Sequence, residues 1–186
     1  MFKLSSVGLK YLFLFLLIGF AASALRIEVV LPYIGPQFKS VVHASAYISL
    51  LIGGLFNFII IVFTFYITTL LQPLAYKAEI VPFFTYGIKY FALVMMLVEV
   101  AKIALVFIFL KNELNNMDVQ DLQKALQQTT WYKLQAVFNW VAIAAGAYVF
   151  ADTVRNKSGK AKDMKGLLLL AVPPAVLLIV ATMLQI

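Results

Sequence analysis

Residues 44–76 read ASAYISLLIGGLFNFIIIVFTFYITTLLQPLAY, a run of 33 positions without one Asp, Glu, Lys, Arg or His. About 20 apolar residues suffice to cross the hydrocarbon of a bilayer. Local propensity in IIIVFTFYITT favours strand, because β-branched and aromatic side chains crowd it. In hydrocarbon an open strand would leave its N–H and C=O groups unpaired, so helix is the reading. Working outward, further stretches of the same character bring the predicted spans to residues 9–25, 46–71, 83–110, 131–153 and 166–186. The expected architecture is all-α: a single polytopic integral membrane bundle of five transmembrane helices in contact with the lipid bilayer.

The composition agrees. Hydrophobic residues make up 63% of the chain and charged residues 12%, against about 45–50% and about 25% in soluble domains. A soluble fold of 186 residues could not bury so much apolar surface. Cysteine is absent and His43 is the one histidine. Disulfides, thiolate metal sites and multi-histidine zinc sites are therefore ruled out, and no cofactor is expected. HExxH, GxSxG and a pair of aspartates in different spans are all missing, so the expectation is no enzyme.

The net charge of +7 gathers in short loops, which points to membrane topology and away from nucleic acid. With the N-terminus inside, nine Lys or Arg face the cytoplasm and five the other side. The predicted orientation is N-terminus cytoplasmic and C-terminus external, in the plasma (inner) membrane of a bacterium. Arg155, Lys157, Lys160, Lys162 and Lys165 make residues 155–165 a dense basic loop. Its composition suits anionic lipid headgroups, although the topology signal alone explains it.

The first span opens like a secretory signal, with Lys3 and Lys10, then YLFLFLLIGF, then Ala22 and Ala24 at cleavage-site spacing. The expectation is that it is retained as a transmembrane helix. Pro32, Gly35 and Pro36 argue against a long regular helix in the loop that follows, with Arg26 in it. Residues 112–130 read as an external polar connector. In it Asp118 would cap a short helix running to Gln128, with Val119, Leu122 and Leu126 on one side. In the fourth span Ala142 and Gly146, four apart, form a small-residue face that permits close helix contact. In the fifth, Pro173-Pro174 should kink the helix.

The order of features resembles that of bacterial Yip1-type membrane proteins. The residues that carry the likeness are FTFYITTLLQP closing the second span, YGIKYFAL opening the third, Trp131 at the start of the fourth and KGLLLLAVPP leading the fifth. The resemblance covers roughly residues 47–186. It implies a non-enzymatic multi-pass protein acting as an accessory subunit, scaffold or assembly partner of other membrane proteins, and self-association would fit the same role. It supplies no catalytic residues.

A second function class comes from the third span. Glu99 lies near its middle and Lys102 follows at i+3 on the same face. Charges at such depth are costly and mark ion or solute paths. Antiparallel counting puts Asn57 near the level of Glu99 and Asn139 near that of Lys102. The sequence thus predicts an intramembrane polar cluster of Asn57, Glu99, Lys102 and Asn139. It is either glue between helices or the site of a small transporter, channel or immunity-type protein.

Overall fold

A computed structural model describes residues 6–71, 82–116, 122–159 and 164–183. Among these residues every regular element is a helix and no strand occurs. Helix α1 spans Ser6–Val30 and continues into a single tight turn, Leu31–Tyr33. Helix α2 spans Pro36–Leu71 and α3 Phe84–Leu105. The rod then widens into a π-helical stretch, Val106–Lys111, and ends in α4, Asn112–Asn115. Helix α5 spans Leu122–Gln128, α6 Thr130–Ser158 and α7 Met164–Met183. Among the described residues, five helices are long and apolar enough to cross a membrane.

The loop after the first span is shorter than its prolines suggest. Pro36 sits at the first position of α2, where its missing N–H would have had no helical partner in any case. Pro32 falls in the tight turn Leu31–Tyr33 rather than inside α1. The break shrinks to Ile34 and Gly35, so α1 and α2 both run through sequence expected to be loop. Arg26 and Glu28 are therefore helical residues of the bundle. The predicted connector likewise loses its first residues to the helix that ends at Asn115. Asp118 and Val119 lie outside the described residues, as does the side chain of Leu122. Helix α7 continues across Pro173 and Pro174.

Contacts fix the directions. Gly8 faces Ile88, and Gly54 faces Phe20. Gly146 faces Phe91, while Gly87 faces Phe150 and Val154. Helix α1 is thus parallel to α3, and antiparallel to α2, while α3 and α6 run antiparallel. The closest packing is between α3 and α6. A Cβ on Gly87 would stand 2.6 Å from the Phe150 ring, and one on Gly146 would stand 2.9 Å from the Phe91 ring. Small residues are what let the two backbones approach.

The dense core occupies one half of the bundle, where α3 begins. Phe65 meets Phe91 and Phe150 with ring centroids 5.0 Å apart in both cases, and Phe84 meets Phe150 at 5.1 Å. These four rings are fully buried, together with Leu12, Ile88 and Leu170. A second cluster closes the opposite end, formed by Val106, Leu110, Leu114, Ala125 and Trp131. Outward-facing residues such as Phe38, Ile52, Phe56, Ile59 and Phe63 on α2 are exposed, as a lipid face requires.

Candidate functional site

Between the two apolar clusters lies a cavity of about 680 Å³. Its walls come from residues 12–27 of α1, 46–61 of α2, 91–102 of α3, 131–143 of α6 and 178–182 of α7, with Val106. Because the helices alternate in direction, these segments overlap from the middle of the bundle toward the side where α1 ends. Phe91, Met95, Ile61 and Leu178 belong both to the cavity wall and to the packed core. Trp131 and Val106 line it from the opposite cluster.

All four predicted polar residues, Asn57, Glu99, Lys102 and Asn139, line this one cavity. Glu99 and Lys102 bond directly, with Lys102 Nζ donating to Glu99 Oε1 at 2.6 Å. Their side chains are only 14% and 15% exposed. Glu99 sits midway along the 32-residue rod Phe84–Asn115. The asparagines do not join that bond: neither carboxamide has a hydrogen bond among the described residues. Four residues are brought to one space, and two of them are brought into contact.

Arg26 is the member that sequence reasoning missed. Its position in an expected loop hid it. Because α1 continues to Val30, Arg26 lines the cavity. Its guanidinium lies over the Trp131 ring, 5.4 Å from the centroid, a cation–π arrangement. Glu99 is the carboxylate that acts on it electrostatically, yet no carboxylate among the described residues is within ion-pairing distance of it. Trp131 itself is 7% exposed, and its indole Nε1 is buried with no acceptor among the described residues. The apolar run through VVLP after Arg26 was the available signal that the helix goes on.

The π-helical stretch begins at Val106, one turn beyond Lys102. Such an interruption inserts an extra residue in the turn and occurs often at functional sites. Here it carries Val106 and Leu110 into the cluster beside Trp131.

The rim beyond the cavity is polar. Glu28 accepts a hydrogen bond from Tyr47 Oη at 2.9 Å and lies 3.0 Å from His43 Nε2, which ties α1 to α2. Tyr33 Oη donates to Asn115 Oδ1.

Of the basic loop, Arg155 and Lys157 are residues of α6, Lys160 and Lys162 lie outside the described residues, and Lys165 falls in α7 with its side chain outside the description. Arg155 pairs with Asp152 at 2.6 Å, and Lys157 lies over the Tyr86 ring at 5.7 Å. Both are engaged within the molecule. Among the described residues no three acidic, histidine or cysteine side chains converge as a metal site would require. No family model, curated protein or solved structure matches this chain.

Proposed function

We propose that this protein is a small, non-enzymatic membrane transporter or channel that receives a solute at the Glu99–Lys102 pair. One observation carries the reading: the pair lines a void of about 680 Å³ instead of being packed on all sides. A structural ion pair would recover its desolvation cost through close packing and further hydrogen bonds. Here Asn57 and Asn139 face the same space without partners among the described residues. Intramembrane charges that border a cavity are the usual mark of a solute or ion path. A polar level at mid-depth, bracketed by apolar clusters at both ends, suits a protein that admits a solute and holds it.

The accessory or scaffold role implied by the Yip1-type resemblance is the alternative. Gly146 of the small-residue face packs against Phe91 of α3 within the chain, which leaves that role to be carried by other surfaces. The orientation that goes with the proposal keeps the N-terminus cytoplasmic and the C-terminus external in a bacterial plasma membrane, from the loop charges alone.

A flux assay tests the proposal. Proteoliposomes would be given benzenesulfonate, tetraethylammonium or mannitol, which cross protein-free bilayers slowly. Uptake of one of them above protein-free liposomes, lost in the Glu99→Ala, Lys102→Ala double variant, supports transport. No uptake of any of the three contradicts it and returns the accessory role to first place.

A further inference from the structure

Resting on the cavity as a solute site, we infer that its ligand is a monoanionic amphiphile: one oxyacid group with a single negative charge on an apolar body. The charge count comes first. Three charged side chains line the cavity, Arg26, Lys102 and Glu99. Glu99 neutralises Lys102 at 2.6 Å, which leaves the charge of Arg26 without an ion-pair partner among the described residues. An uncompensated charge at membrane depth is costly. One anion restores neutrality, a cation adds to the excess and a dianion overshoots.

The donors agree with the count. The Trp131 ring lies under the guanidinium of Arg26, and no hydrogen bond engages that guanidinium among the described residues, so its N–H groups can meet an acceptor. Trp131 Nε1–H is buried with no acceptor among the described residues, so it is shut off from the cavity and the guanidinium is the donor group there. The oxygens of a carboxylate or phosphodiester would pair with the Arg26 guanidinium in charge-assisted hydrogen bonds. Most of the remaining wall is apolar, with Leu16, Phe20, Ile60, Met95, Ile143 and Leu178 beside the neutral polar Asn57 and Asn139. A volume of about 680 Å³ falls inside the range of about 300–1,000 Å³ typical of small-molecule sites. A hydrocarbon body fits these walls, and a fully polar ion would leave them in contact with water. The same chemistry could come from a free carboxylate amphiphile or from the headgroup of an anionic lipid.

The molecule carries its own reporter. Trp131 and Trp140 are its two tryptophans, and both line the cavity. Full-length protein in nanodiscs of zwitterionic lipid would be titrated with octanoate, octanol and octylammonium, following tryptophan emission. Octanoate should give a saturable change, with octanol and octylammonium about 30-fold weaker or silent. Arg26→Gln should abolish the preference and Arg26→Lys should recover part of it. Glu99→Gln removes the competing carboxylate and should tighten octanoate binding about tenfold, a gain that a merely structural Glu99 would not produce. Doping the discs with phosphatidylglycerol separates the sources. Loss of the octanoate signal there assigns the site to membrane lipid, and its persistence assigns it to a free amphiphile. Octanol or octylammonium binding as tightly as octanoate overturns the anion assignment and leaves the cavity as a solute site. Silence from all three overturns the assignment as well, and the flux assay, which uses none of these probes, then decides the transport reading separately.

Discussion

At position 99 a carboxylate sits midway along a helical rod long enough to cross a membrane, and one helical turn on, Lys102 reaches back to it across 2.6 Å. Removing one partner leaves the other charge unpaired in a mostly buried place, whereas removing both leaves no unpaired charge there. Glu99→Ala should therefore cost about 3 kcal/mol and the double variant Glu99→Ala, Lys102→Ala distinctly less. Thermal unfolding in detergent micelles reads the difference, and a double variant as unstable as the single one would contradict it. Glycines give a second residue-scale contrast. A methyl group on Gly87 would stand 2.6 Å from Phe150 and 2.8 Å from Val154. Gly87→Ala should thus cost about 1–3 kcal/mol through overpacking. Around Gly53 nothing lies within 4 Å, so Gly53→Ala should be neutral or slightly stabilising in the same melt. The Glu99–Lys102 pair was legible because both residues share one helix and its period places them on one face. Arg26 was not, because its neighbour Trp131 is 105 positions away in the chain, and no local pattern records a contact between elements.

Between α5 and α6 the chain turns on one residue. Thr129 is fully buried. Its Oγ1 accepts from Tyr132 N at 3.2 Å, as the N-cap of α6, and donates to Leu126 O at 2.7 Å. Glu113, at the far end of the α3 rod, accepts from Thr130 N at 2.6 Å, a carboxylate at the positive end of a helix dipole. Thr129→Ala should cost about 0.5–2 kcal/mol and loosen α5 with it, seen as faster amide exchange over residues 122–128. Cysteine labelling of the purified protein checks how α5 lies. Gln127→Cys should react, since Gln127 is exposed, while Ala125→Cys should be protected, since Ala125 is buried against Leu110 and Trp131. Equal labelling at both would mean that α5 does not dock. The short helix before Gln128 was readable from its apolar spacing, with Leu126 on the inner side. The capping role of Glu113 was not, since the polar connector offers three carboxylates, Glu113, Asp118 and Asp121, and only the fold selects one. The same limit applied at α1 and α2. A proline signals a break equally whether it lies in a long loop or at the first position of a helix, and only packing tells the two apart.

As a whole the molecule is a bundle with one half filled and one half open. Aromatic rings from α2, α3 and α6 fill the first, and the cavity with its three charges occupies the second. Helix number and fold class were legible because hydropathy alone decides them in a bilayer. The cavity was not, because it is a property of how five helices lean on one another. Orientation is a claim at this scale. A reporter placed near Ser158 should read as cytoplasmic and one fused after Ile186 as external, and opposite readings at both would reverse the topology. On the proposed reading, Glu99 and Lys102 line a space that solute enters from water, rather than forming a closed bond between helices. The chain has no cysteine, so a single thiol at Asn139→Cys, beside the pair, reports on that space alone. In nanodiscs it should react with a small hydrophilic thiol reagent, whereas a thiol at the fully buried Ala92 should not. An Asn139→Cys thiol that stays unreactive in folded protein would contradict the account and leave Glu99 and Lys102 as structural glue.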